Sequence, residues 1–179
     1  MLTTKDIYRE GAHLGVRMGV FLSVASLLSF MSDYNSLLSI IAFPMLISVP
    51  ALHYFLLRSV YRRYGGSQFS SMWMLGIVIF VGGSMICSLA TYCYLRFFDP
   101  DFFYRTATAL MEVAKGRPDT ADLYNMLKVS VEGGLLPSIV DYCMQMMLLT
   151  IFVGSLLTIF LIPIVRFTQR RNNNESKTF

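Results

Sequence analysis

Charged residues are scarce in this chain. Asp, Glu, Lys and Arg make up 15% of its 179 residues, against about 25% in a soluble domain. Hydrophobic residues make up 55% and gather in stretches near the length that crosses a bilayer as a helix. Composition therefore excludes an ordinary soluble domain and indicates a membrane protein. The positive charges behind the net charge of +4 are distributed as membrane topology requires. We therefore expect the chain to contact a lipid bilayer and not to bind nucleic acid.

Residues that carry chemistry are also few. Three cysteines, odd in number and not closely spaced, indicate neither a disulfide framework nor a metal motif, so we expect buried free thiols at Cys87, Cys93 and Cys143. A glycine-rich phosphate loop, paired catalytic carboxylates and a His–Glu metal motif are all missing from the sequence. We therefore predict no enzymatic activity, no cofactor and no metal.

Four apolar stretches predict an all-α integral membrane protein built as a four-helix bundle. One membrane domain, 1–166, would hold the spans 12–31, 37–57, 72–95 and 140–165. The polar segment 97–134 predicts two short amphipathic helices between spans 3 and 4, the second beginning near Asp119 and Thr120. They could lie on the bilayer surface or dock on the bundle. The basic, Asn-rich residues 167–179 are expected to form a disordered cytoplasmic tail.

Prolines suggest two local features. Pro44 and Pro50 lie within the second span and predict either kinked packing or an unwound binding site of the kind found in transporters. Asp99 followed by Pro100 predicts the start of a helix, with the acid as N-cap and the proline in the first turn.

Basic residues are distributed unevenly among the segments outside the spans. The N-terminal segment, the second connection and the tail together carry nine Lys and Arg residues, whereas the first connection has none. The third connection has four basic and six acidic residues. By the positive-inside rule, this pattern predicts that both termini are cytoplasmic.

The first span combines a face of small residues with a polar face. Gly11, Gly15 and Gly19 recur every four residues, and Ser26 continues the same stripe. Small residues at this spacing let helices approach closely in lipid. The stripe therefore predicts a packing face, used within the bundle or against another membrane protein or a second copy of the chain.

His13 and Arg17 lie on roughly the opposite side of this helix. Arg17 could simply extend to the headgroups. Alternatively, with His13 one turn away, it could bind a lipid phosphate or a partner's carboxylate, because guanidinium binds oxyanions bidentately. His53 would join this site if the first two helices pack together. A metal site at the two histidines would need a third ligand that the sequence does not supply.

Asp141 and Gln145, one turn apart, form a second polar pair at the opposite membrane boundary. They could line a proton or cation path with Asp141 as the ionisable member. They could equally cap the bundle where the fourth span leaves the bilayer, with Asp141 and Gln145 pairing with Arg96.

Three features resemble one known family: the glycine-spaced first helix, the arginines of the second connection (Arg58, Arg62, Arg63) leading into Phe69, and the motif FDPDFF at 98–103. The family is an uncharacterised group of small four-span inner-membrane proteins, seen mainly in Bacteroidota and catalogued as domain of unknown function forty-one ninety-nine. The resemblance implies a bacterial inner-membrane protein. The family has no established activity. Its members are often encoded near membrane-associated glycosyltransferases, which suggests a link to lipid-linked sugar metabolism.

Two functional hypotheses follow. In the first, the chain is a non-enzymatic accessory or scaffold subunit that packs through the glycine face. In the second, it is a small transporter or lipid-binding protein, with a cavity opened by the prolines and an anionic headgroup held near Arg17. A polar cavity that reaches Arg17 would favour the second hypothesis, and Arg17 facing lipid from a tight bundle would favour the first.

Overall fold

The chain is helical throughout the residues whose structure is described. A computed structural model describes residues 2–32, 35–64, 68–115 and 120–175. Within these ranges there are six helices and no strand, which confirms the predicted all-α class. In chain order they are α1 (Thr4–Met31), α2 (Ser36–Arg63), α3 (Phe69–Phe97), α4 (Phe102–Ala114), α5 (Ala121–Glu132) and α6 (Ile139–Glu175).

Helices α1, α2, α3 and α6 are long and apolar enough to cross a membrane. The shortest has 28 residues, or about 42 Å at 1.5 Å per residue, whereas the hydrocarbon layer is about 30 Å thick. Each helix therefore continues past the hydrocarbon, and each is longer than the span predicted for it. The chain is a multi-pass membrane protein with the predicted four spans.

The chain divides into two compact units. The first contains Met1–Thr91 and Gln145–Phe179, and the second contains Tyr92–Met144. In the first unit, apolar side chains from all four long helices form one core. Its most deeply buried members are Met18, Leu57, Val60, Met72, Leu75, Ile79, Ile162 and Val165.

Helix α2 stays helical through both of its prolines, Pro44 and Pro50. Both prolines are exposed on the surface of the helix. The uninterrupted helix excludes the unwound binding site that the two prolines made conceivable.

Helix α6 begins with a side-chain cap and runs further than expected. The Ser138 hydroxyl donates to the Asp141 carboxylate at 2.6 Å, and the Asp141 backbone N–H donates to the Ser138 hydroxyl at 3.1 Å. The helix continues to Glu175, so residues 167–175 are helical rather than disordered, and the remaining residues of the expected tail lie outside the described ones. Extending an existing helix costs little, and the sequence has neither Gly nor Pro after Pro163.

In the second unit, α4 and α5 pack against each other. Ala107 and Ala114 are buried in α4, and the Phe103 ring meets the Tyr142 ring edge-on, with centroids 5.2 Å apart. The predicted amphipathic helix pair is therefore present. Asp119, where the second of these helices was expected to begin, lies outside the described residues.

The predicted capping role of Asp99 is wrong. Residue Asp101 occupies the N-cap position of α4 and makes no side-chain capping bond. The chain turns through Pro100, which delays the helix to Phe102 and directs the Asp99 carboxylate elsewhere. That carboxylate is 4% exposed and accepts a hydrogen bond from the Arg105 guanidinium at 2.6 Å.

The three cysteines are free but differ in burial. Cys143 is buried, Cys87 is half-buried and Cys93 is exposed. The expected burial therefore fails for Cys93. A thiol is a small apolar group, so lipid can surround it without a cost that would force it into the protein core.

Candidate anion-binding site

A groove of about 380 Å³ lies between the beginning of α1 and the end of α2. Four of its lining residues are of basic types, and one is acidic. The lining consists of Arg9, Glu10, His13, Leu14, Arg17, Ser59 and Arg63. The groove thus brings together two of the residues singled out in the sequence, His13 and Arg17.

Helical spacing produces the basic wall on the α1 side. Arg9, His13 and Arg17 follow each other at intervals of four residues, so they stack along one side of the helix. Eight residues of helix rise about 12 Å. All three residues are exposed, so their side chains are free to turn toward a bound molecule in the groove.

Glu10 forms a buried anchor between the two helices. The residue is 7% exposed, and its Oε1 accepts a hydrogen bond from Arg63 Nη1 at 2.7 Å and from the Tyr64 hydroxyl at 3.4 Å. Arg9 lies 4.0 Å from the same oxygen. Desolvation, followed by the negative charges of Asp6 and Glu10, raises the pKa of Tyr64 above its usual value. Its hydroxyl therefore stays protonated and able to donate to Glu10.

The hydrogen-bond donors that remain for a ligand are mainly cationic. The Ser59 hydroxyl donates to the Leu56 carbonyl at 2.7 Å, which uses its only proton. Arg63 commits one of its guanidinium nitrogens to Glu10, and a guanidinium has five N–H donors. Arginine side chains therefore dominate the binding capacity of the groove, and such a site fits carboxylate or phosphate oxygens.

The glycine face of α1 packs against α3. A Cβ at Gly11 would lie 2.5 Å from Val78 Cγ1, and one at Gly19 would lie 2.8 Å from Ile86 Cβ. At Gly15 the nearest atom is the Ile79 carbonyl oxygen, at 3.2 Å. The stripe is thus occupied within the chain itself.

Ser26 continues this contact toward the other end of the helix. Its hydroxyl lies 3.3 Å from the Thr91 hydroxyl of α3, within hydrogen-bond distance. The four small residues predicted to pack therefore all face the same neighbouring helix.

His53 lies away from the groove, in the core formed by α2, α3 and α6. It is 0% exposed, its ring centroid is 4.7 Å from that of Phe80, and its Nε2 lies 2.9 Å from the Thr158 hydroxyl. Thr158 gives its own proton to the Gly154 carbonyl, 2.8 Å away, so it accepts from Nε2–H. His53 is thereby held in the Nε2-protonated form, and its Nδ1 has no hydrogen-bond partner among the described residues.

Two glycines make room for this buried cluster. A Cβ at Gly76 of α3 would collide with the Thr158 side chain, and a Cβ at Gly154 of α6 would collide with the Phe80 ring. The close packing around His53 explains why α1–α2 contact does not bring it to Arg17: its ring turns toward α3 and α6 instead.

Asp141 and Gln145 are exposed on α6. The carboxylate of Asp141 is engaged by Ser138 in the cap at the start of the helix. Ser138, and not the expected Arg96, is thus the hydrogen-bond partner that the structure gives to Asp141. Within the described ranges, no group of three or more His, Cys, Asp or Glu residues could hold a metal ion.

Sequence reasoning missed five members of the site, Arg9, Glu10, Leu14, Ser59 and Arg63. Glu10 follows Arg9 in a polar segment of balanced charge, and Arg63 was counted as a sign of topology and of the family resemblance. Helical spacing offers one usable signal, since Glu10 lies one turn before Leu14 on the α1 side that faces α2. Identifying Arg63 as its partner requires the register between two helices, which no local pattern contains.

The fold and this groove define a helical multi-pass membrane protein with a basic cleft at one end of its bundle. The chain belongs to the family described as Protein of unknown function (DUF4199), whose model matches residues 13–166. This match includes most of the first and fourth spans and everything between them, and it confirms the family resemblance seen in the sequence. Comparison with curated proteins and with solved structures gives no match.

Proposed function

We propose that this protein binds the headgroup of an anionic lipid in the groove between α1 and α2. The observation that carries the proposal is the convergence of Arg9, Arg17 and Arg63 on one cavity. The role is one of binding without catalysis, in line with the lack of a reactive constellation in the sequence. Arginine clusters recognise phosphate through paired hydrogen bonds and charge.

A lipid fits the surroundings of the groove better than a soluble anion does. Arg17 belongs to a helix that is long and apolar enough to span the membrane, and it lies about 12 Å further along that helix than Arg9. Exposed apolar side chains continue along α1 beyond Arg17, at Val20 and Val24. A headgroup held by the arginines would therefore have an apolar track beside it for an acyl chain.

The glycine face of the competing accessory-subunit hypothesis packs within the chain, which is one of the two uses predicted for it. That face is filled by α3 through Val78, Ile79 and Ile86. The two prolines of α2 play no part in the groove either, since its α2 wall is formed by Ser59 and Arg63. The observations thus support lipid binding near Arg17, by a different cavity from the one the prolines suggested.

The proposal includes an orientation in a bacterial inner membrane. The uneven loop charges support cytoplasmic termini, which would direct the groove to the cytoplasmic leaflet, where anionic lipids attract basic segments. Single cysteines at Arg62 and Lys128, in a chain otherwise free of cysteine, test this. A membrane-impermeant maleimide should label K128C in intact cells and R62C only after permeabilisation. The reverse pattern would contradict the proposed orientation.

Lipid binding itself is tested with Arg17→Ala in nanodiscs that contain an anionic lipid. Loss of one charge-assisted contact should weaken lipid retention about tenfold, as measured by native mass spectrometry. Arg62→Ala is the matched control, because Arg62 is an exposed arginine on the same end of α2 and is outside the groove lining. Equal retention by R17A and R62A would overturn the proposal.

A further inference from the structure

We infer that the headgroup recognised by the groove carries two negative charges, as a terminal phosphate does, rather than the single charge of a phosphodiester. This inference rests on the proposed lipid-binding function and specifies its ligand. It follows from the charge built into the groove and from the way that Glu10 is fixed there.

The lining residues set the charge. Three arginines and one glutamate leave a formal charge of +2 with His13 neutral. The groove adjoins a low-dielectric bilayer, in which uncompensated charge is costly. A phosphodiester would leave one positive charge unbalanced, whereas a terminal phosphate with two charges would balance the site.

Glu10 is what keeps this charge at two rather than three. Its carboxylate is 7% exposed and is held by Arg63 and by the Tyr64 hydroxyl. These contacts fix the carboxylate to the wall, so a ligand would bind beside it without displacing it. Glu10 is therefore a specificity-determining residue, because it sets how many charges the ligand must bring.

The arrangement of donors also suits a terminal phosphate. Cationic groups reach the groove from two helices, with Arg9 and Arg17 on α1 and Arg63 on α2. A terminal phosphate offers three unesterified oxygens, one more than a phosphodiester, so it can bind both walls at once. Planar guanidinium groups match such oxygens in pairs.

The experiment compares two lipids that differ in headgroup charge but share their acyl chains. Wild-type protein in phosphatidylcholine nanodiscs is offered phosphatidic acid or phosphatidylglycerol at about pH 8, where a terminal phosphate carries nearly two charges. We expect about fivefold stronger retention of phosphatidic acid. Arg9→Gln, which lowers the groove charge by one, should reduce this preference, and Glu10→Gln should strengthen retention of phosphatidic acid. Arg62→Gln should change neither.

The possible outcomes separate the inference from the proposed function. Equal retention of the two lipids, lost in R17A, would overturn the two-charge inference and leave lipid binding intact. Retention of neither lipid, or retention that does not depend on Arg17, would overturn the proposed function itself. Inorganic phosphate and glycerol 3-phosphate serve as soluble probes. If either soluble phosphate binds as tightly as phosphatidic acid, the groove recognises a doubly charged phosphate but does not require a lipid. The proposal of a lipid ligand would then be wrong.

Discussion

Gly15 of α1 and Gly82 of α3 meet backbone to backbone. A Cβ added to Gly15 would lie 3.4 Å from the Gly82 Cα, and one added to Gly82 would lie 3.6 Å from the Gly15 Cα. No side chain separates the two helices at this point. In a bilayer, where apolar burial does not drive helices together, such close contact is a principal source of helix association.

This contact predicts graded effects of substitution along the α1 stripe. Gly19→Leu places a large side chain where even a Cβ would be 2.8 Å from Ile86 and 3.0 Å from the Gly83 carbonyl oxygen. We expect at least about 1–3 kcal/mol of destabilisation, measured as the free energy of unfolding during SDS titration in mixed micelles. The Gly15→Leu variant should behave in the same way.

Two control variants serve as comparisons for this prediction. Val20→Leu changes an exposed neighbour of Gly19, 54% accessible, and should leave the unfolding free energy within about 0.5 kcal/mol. Gly82→Ala adds a Cβ with an ordinary 3.6 Å contact and should also be tolerated. A bundle that is as stable with leucine at Gly19 as without it would contradict the structural role assigned to the stripe.

The helices and their small-residue face were predictable because both depend on local sequence. Apolar stretches of membrane length indicate spans, and the spacing of Gly11, Gly15 and Gly19 is set by one helical turn. The boundaries were less predictable. Helix α6 reaches Glu175 because an established helix continues through polar residues at little cost, which composition alone does not reveal.

The candidate site was predictable only in part. Helical spacing put His13 and Arg17 on one side of α1, but Glu10 and Arg63 are 53 residues apart and meet through the register of two helices. His53 shows the converse limit. The sequence predicts that it lies near Arg17 in membrane depth. Its position around the axis of α2 nevertheless directs its ring to Thr158, and that orientation depends on how all four helices pack.

Thr158 is predicted to be the stabilising partner of His53. Thr158→Val removes the hydroxyl that lies 2.9 Å from His53 Nε2 and leaves a buried N–H without its acceptor. Such a loss costs about 1–3 kcal/mol, again read from the free energy of unfolding. Thr158→Ser should restore most of it.

Thr150→Val is the matched control for this variant. Thr150 lies on the same helix and donates to the Met146 carbonyl, four residues back, as Thr158 does to Gly154, but its hydroxyl is in an exposed position. Its replacement should cost less than about 0.5 kcal/mol. Equal losses of unfolding free energy in the two variants would show that the contact between His53 and Thr158 does not stabilise the bundle.

The second unit offers a comparison of two ion pairs. Arg105 lies 2.6 Å from the buried Asp99 carboxylate, whereas Lys128 and Glu132 are 3.9 Å apart with both side chains exposed. Arg105→Ala should cost about 1.5–3 kcal/mol, because it takes a charged donor from a buried acceptor. Lys128→Ala should cost at most about 0.5 kcal/mol. Hydrogen exchange of the α4 and α5 amides would measure both, and an equal loss of protection in the two variants would contradict the importance given to Asp99.

The Glu10–Arg63 pair should join α1 to α2, and a double-mutant cycle can isolate that contribution. Glu10→Gln, Arg63→Gln and the double variant should give a coupling of about 1 kcal/mol in the free energy of unfolding. The expected coupling energy is small because the Arg63 side chain is 62% exposed. The control cycle uses Arg9, which is 4.0 Å from Glu10 and 74% exposed, and should give a coupling near zero. A larger coupling to Arg9 than to Arg63 would mean that the anchor lies within α1, and the groove would then lose the fixed wall on which its charge selectivity depends.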